Sequence, residues 1–227
     1  MADNLVKGLG AGDMELAKDF ELTDSSGTTT FKITQAGVMS STSALETSSG
    51  NGTKNGSTVS VVEKGDGVLH QTVITLASTP CPIVSVTTGA GVGGIKVYDA
   101  PEGHWRLIGA TASLSLLVGS AKEADYTDNT PEGDYGVGTV TMANADTFGT
   151  DATDDYICTG KTFTMTTFAQ AAQGLAPEAA ANFDGTTTAK DIVVNCLVDA
   201  ADVDDDVTSE IEVSGTITLT WINLGDV

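Results

Sequence analysis

Between residues 210 and 221 apolar and polar side chains alternate one by one. Ile211, Val213, Ile217, Leu219 and Trp221 hold odd positions, while Glu210, Glu212, Ser214, Thr216, Thr218 and Thr220 hold even ones. Successive Cβ atoms of an extended chain point to opposite faces, so this period of two dictates a strand with one dry and one wet face, which no helix satisfies. Gly215 interrupts the apolar row and predicts a bulge. A second segment repeats the pattern, with Ile108, Ala110, Ala112, Leu114, Leu116 and Val118 apolar around Gly109, Thr111, Ser113 and Ser115. Shorter runs rich in threonine, valine and isoleucine at 20–23, 28–34, 58–64, 68–77, 82–88, 94–100, 135–143, 156–168 and 190–199 bring the expectation to about eleven strands separated by short turns. The expected fold class is all-β: a jelly-roll-like sandwich or barrel of antiparallel strands, with a short N-terminal arm and minor helical turns.

The arm is residues 1–19, where Met14, Leu16, Ala17 and Phe20 give a weak helical pattern after Gly8, Gly10 and Gly12, and it is expected to order on a neighbouring molecule. Residues 20–227 are expected to form a single β domain. Small polar residues over 39–57 predict a surface loop, with Asn51-Gly52 and Asn55-Gly56 at tight turns. The alanine-rich stretch 168–183, broken near Gly174 and Pro177, predicts one or two helical turns capping a sheet opening.

Charge narrows the partners. The 227 residues carry 31 Asp and Glu against 10 Lys and Arg, a formal net charge of -21. Such a field repels phosphate backbones and anionic lipid, so neither nucleic acid nor membrane is expected as a partner, and mutual repulsion keeps copies soluble at high concentration. Cys81, Cys158 and Cys196 are odd in number and widely spaced, which argues for reduced thiols rather than disulfides or zinc. The N-terminus lacks the pattern of a signal peptide and no stretch has the roughly twenty apolar residues of a membrane span, so a soluble protein made in the cytoplasm is expected.

Motifs that bear chemistry fall short of their requirements. Gly89-Ala-Gly91-Val-Gly93-Gly94 fits the spacing of a dinucleotide loop, but Ile95-Lys-Val-Tyr-Asp continues as a strand where the phosphate cradle needs a helix. It reads as a hairpin connection. The acidic run from Asp199 through Asp202, Asp204, Asp205 and Asp206 lacks the glycine and the glutamate of a calcium-binding EF-hand, since Val207 and Val213 stand there. It reads as a solvated turn, with a weak divalent-ion site using Asp199 or Glu210 left open. His70 and His104 sit in separate segments without a nucleophile signature. Glu210 and Glu212 share a strand face, and twelve aromatic residues furnish a sugar cleft thinly. No catalytic, cofactor-binding or metal-binding residue is assigned, no cofactor is expected, and the protein is expected not to be an enzyme.

Three phrases carry a family resemblance. They are Gly94-Ile-Lys-Val-Tyr-Asp-Ala-Pro-Glu-Gly103 running into Trp105-Arg-Leu-Ile-Gly-Ala110, Asn182-Phe-Asp-Gly-Thr-Thr-Thr-Ala-Lys-Asp191, and Gly215-Thr-Ile-Thr-Leu-Thr-Trp-Ile-Asn-Leu-Gly-Asp-Val227. In these the chain resembles structural proteins of tailed bacteriophage virions, of the capsid decoration or cement type. The resemblance implies a non-enzymatic virion part, made in the host cytoplasm and located on the capsid surface, with the major capsid protein as partner and a homo-oligomer, a trimer, as its assembled form. A tail, collar or head-fibre component is the alternative within the virion. A carbohydrate-binding β module is the alternative outside it, and would present Trp105, Tyr98 or Tyr135 as a surface platform.

Overall fold

The computed structural model describes residues 52–65, 69–85, 90–142, 157–177, 182–185, 190–204 and 207–225, with Phe148, and five strands nearer the N-terminus. The chain divides into two compact units, Met1–Thr47 and Ser48–Val227. The expected boundary after residue 19 lies inside the first.

In the first unit β1 (Val6–Gly10) and β2 (Asp13–Leu16) form an antiparallel pair, and β3 (Phe20–Thr23), β4 (Thr29–Ile33) and β5 (Met39–Ser41) form an antiparallel sheet in that order. Within the stretch 1–19, where a weak helical pattern was expected, the described residues 6–10 and 13–16 are strand. Each of Gly8, Gly10 and Gly12 penalises a helix by about 1 kcal/mol relative to alanine, and that outweighs the spacing of four apolar residues.

The second unit contains β6 (Thr53–Lys54), β7 (Val59–Gly65), β8 (Leu69–Val84), β9 (Gly91–Asp99), β10 (Gly103–Leu117), β11 (Glu132–Gly138), β12 (Cys158–Thr164), β13 (Ala169–Leu175), β14 (Asn182–Gly185), β15 (Asp191–Val198) and β16 (Thr208–Gly225). A 3-10 turn at Glu123–Asp125 is the helical element among the described residues. The strands join in the order β12-β11-β15-β9-β8-β16-β10-β13, with β6 beside β9, β7 beside β8 and β14 beside β10. Every pairing is antiparallel. The outer strands of this path meet: Cys158 bridges Pro177, and the Thr159 N–H donates to Ala176 O at 3.0 Å. The sheet thus rolls into a nearly closed barrel, which removes free edges that would otherwise pair with other chains. The expected all-β sandwich-or-barrel class is what the structure has.

One apolar core fills the roll. The odd row of β16 meets Ile74, Leu76, Cys81 and Ile83 of β8, Leu107, Ala112 and Leu114 of β10, and Val97, Tyr135, Val194 and Cys196 from the opposite wall. Two bulges control which side chains enter it. Near the middle of the long strands the register shifts between Val213 and Gly215, Ser78 takes a left-handed φ of 47°, and its N–H donates to Ser214 Oγ at 2.8 Å. Gly215 has φ 139°, and a Cβ there would overlap Ser113 O, so only glycine fits. On either side of this joint the neighbours change. β8 passes from β7 to β9 across it, whereas β10 exchanges β14 for β13 earlier, between Arg106 and Ala112.

The second bulge lies between Leu107 and Gly109. It turns Ile108 outward, 49% exposed, and puts Trp105 and Leu107 in the core instead. The expected inward row from Ile108 therefore begins at Ala110. A second correction concerns the stretch 168–183, where β13 over Ala169–Leu175 stands in place of helical turns and 178–181 lie outside the described residues. Ala and Gln favour helix by only tenths of a kcal/mol per residue, while pairing with β10 along Ala112–Leu117 satisfies a ladder of backbone groups and closes the roll.

Candidate functional site

The residues that suggested chemistry are scattered through this frame, and most are consumed by it. His70 is buried on β8 and stacks on Trp221, ring centroids 4.2 Å apart and 12° from coplanar. Trp221 packs edge-on to Trp105 at 5.8 Å and donates its indole N–H to Thr72 Oγ1 at 2.9 Å. Thr72 in turn donates to Glu63 Oε2 at 3.0 Å, and Glu63 also accepts from the Tyr98 hydroxyl, which takes the Gly52 N–H at 2.9 Å. Burial, and then the Glu63 carboxylate, hold the Tyr98 phenol well above its usual range. It is a structural donor. His104 lies elsewhere, on the wet side of β10, with Nε2 3.8 Å from Asp184 Oδ1.

Gly91, Gly93 and Gly94 of the glycine motif lie within β9, and Gly89 lies outside the described residues. A Cβ on Gly93 would overlap Pro82 O, and one on Gly94 would overlap Asn195 Oδ1. These glycines stand within the strand, paired with β15, where they serve close backbone approach; the connection that the hairpin reading expected falls at 86–89, outside the described residues. Trp105, Tyr98 and Tyr135 are all buried, so none forms the exposed platform that a sugar-binding module would present. All three cysteines are free and buried. Burial pushes the Cys158 thiol up to about 12, and contact with Cys196 together with burial raises Cys81, so neither is a thiolate at neutral pH.

The acidic run gives the one compact cluster of possible ligands among the described residues. β15 ends at Val198, paired with Gly133, and the Asp199 N–H donates to Glu132 O at 2.9 Å. The chain then turns: the Asp202 N–H donates to Asp199 O at 2.9 Å, bringing Asp202 Oδ2 within 2.8 Å of the Glu132 N–H. Thr127 fixes the turn from outside, with its hydroxyl on Ala201 O at 2.7 Å. One carboxylate oxygen each from Glu132, Asp199 and Asp202 then lies within 4.8 Å of the others.

That spacing suits oxygens around one divalent cation, since calcium–oxygen distances run about 2.3–2.6 Å. Three side chains are about half the ligands calcium takes, and Glu132 and Asp199 are exposed, so water would complete such a shell. Partial burial, then the charges of Asp202, Asp134 and Glu132, raise the Asp199 carboxyl above its usual range. Asp199 was expected as a possible ligand, and it is in the cluster. Glu210 is not: it lies on β16, paired with Pro82. Glu132 was missed, because it lies 70 residues from Asp202 and the β11–β15 register alone brings them together. Compared with known protein families, curated proteins and solved structures, the chain matches none.

Proposed function

We propose that the protein is a non-enzymatic structural part of a tailed-bacteriophage virion, a decoration protein that binds the outer capsid shell as a symmetric homo-oligomer and stabilises it. The observation that carries the reading is where its three resembling phrases fall. Gly94–Gly103 and Trp105–Ala110 run through β9 and β10, the phrase from 182 to 191 contains β14 and the start of β15, and the last phrase supplies the second half of β16 up to Gly225. β14, β10 and β16 are hydrogen-bonded neighbours, and β15 pairs with β9. The resemblance therefore follows contiguous sheet rather than scattered loops. The rolled sheet supports the same reading, because His70, Tyr98, Tyr126, Tyr135 and the three cysteines serve packing and the acidic composition keeps crowded copies apart.

The mechanism is mechanical. A rigid barrel adds contact area between shell subunits, and the adhesive free energy comes from surface burial rather than bond chemistry. Mass spectrometry of purified particles of the phage that carries the gene tests the proposal. The expected result is the chain in copy number comparable to the major capsid protein, lost on mild denaturant treatment before the shell itself opens. Particles without the chain, or a chain recovered only with detached tails, would remove the decoration reading.

A further inference from the structure

The wet sides of β8, β16 and β10 form one continuous face whose character changes along the strands. The register sets its side chains in cross-strand rows. At one end Leu117, Glu212 and Pro80 stand together, and at the other Arg106, Ile222 and Leu69 do. Glu210 lies beyond the first row and Leu224 beyond the second. Between the rows the face is uncharged, with Thr75, Thr111, Thr216 and Thr218 as its centre. Leu69, Ile108 and Leu117 are 47%, 49% and 43% exposed. In a chain of charge -21, a broad face with an uncharged centre is where a second copy can approach without repulsion.

We propose that this face docks a second copy of the chain about a two-fold axis crossing the strands over Ile217. The two end rows are equidistant from Ile217 along β16. An axis across the strands reverses their direction and keeps β10 over β10, so the Glu212 row of one copy meets the Arg106 row of the other, and Pro80 meets Leu69. An axis along β16 would set Glu212 against Glu212, so charge selects the first arrangement. By strand spacing and rise, the three strands between the two end rows cover about 500 Å² per copy, or about 1,000 Å² for the pair, which is the size of a weak, concentration-dependent association. A shallow depression of about 260 Å³, lined by Gly109, Thr111, Thr218 and Thr220 among others, lies within the face and receives a partner side chain. The inference rests on the self-assembly in the proposed function, and makes it two-fold where the resemblance implied a three-fold ring.

Sedimentation equilibrium of the full chain tests it. Wild type is expected at twice 23.1 kDa. A Cβ at Gly109 meets nothing within 4 Å, so Gly109→Arg keeps the fold, checked by circular dichroism, and plants a charge in the interface. It should weaken dimerisation about thirtyfold or more, the size of a lost hot spot. Arg106→Glu and Glu212→Arg should each weaken the pair, and the double swap should restore it. A wild type monomeric at every concentration, an oligomer indifferent to Gly109→Arg, or a double swap without recovery overturns the proposal. Shell binding is read separately. A dimer that binds no shell removes the virion reading and leaves the two-fold face, whereas a monomer that decorates shells does the reverse.

Discussion

Asn195 offers the sharpest test of how the barrel wall is held. It sits on β15 with no solvent exposure, donates Nδ2 to Val140 O at 2.9 Å, and accepts the Met142 N–H on Oδ1 at 3.0 Å. A single amide therefore pins the segment after β11 to the sheet. Replacing it with alanine orphans the buried Met142 N–H, at about 1–3 kcal/mol, while Val140 O, on a half-exposed residue, regains water and costs about 0.5–1 kcal/mol. The sum is about 3 kcal/mol, or about 10 °C in Tm for a domain of this size. Asn195→Asp separates hydrogen bonding from volume. An ionised aspartate keeps the Met142 bond but faces Val140 O without a proton, and burial raises its folded pKa above the unfolded value of about 3.9. For an acid with a raised folded pKa, the deficit relative to wild type is absent below the unfolded pKa and grows as pH rises through the folded one. Urea unfolding followed by Trp105 and Trp221 fluorescence, both buried, measures each variant. An Asn195→Ala change within about 0.5 kcal/mol of wild type, or an Asn195→Asp deficit that does not vary with pH, would refute this account.

Four further outcomes are expected. Gly215→Ala should yield little folded protein, because the new Cβ overlaps Ser113 O at a positive φ; Ser214→Ala, losing one hydrogen bond to the Ser78 N–H, should cost only about 1 kcal/mol by chemical denaturation. Thr167 and Phe168 occupy the two central positions of the β12–β13 hairpin at φ 51° and 60°, a conformation costing a β-branched residue about 1–2 kcal/mol, so Thr167→Asn should raise Tm by a few degrees in calorimetry. Asp199, whose carboxyl is raised by partial burial and then by Asp202, Asp134 and Glu132, destabilises the fold above its unfolded pKa. Asp199→Asn should therefore melt higher than wild type at pH 7, and the difference should vanish as pH falls below about 3.9.

The sequence reveals what one strand decides alone and conceals what two strands decide together. β16 is legible because one of its faces is wet: from 210 to 221 the odd residues other than Gly215 are apolar, the even ones polar, and Gly215 announces its own bulge. In β10 the same rule fails at Ile108, since one inserted residue inverts every position before it and no side chain there marks the insertion. β13 is illegible by composition. Ala169, Ala171 and Ala172 have no dry face to pattern, and they are a strand because β10 needs a partner. The carboxylate cluster divides along the same line, with Asp199 and Asp202 joined by a local turn and Glu132 added only by the β11–β15 register. The proposed docking face also belongs to both kinds of information. Its acidic end and threonine centre stand in the even positions of β16, but Arg106 and Leu117 reach its two ends only through thirteen residue pairs between β10 and β16. A shift of that register by one residue would send Arg106 into the core and Leu107 to solvent, so the surface chemistry and the packed interior are fixed by the same pairing.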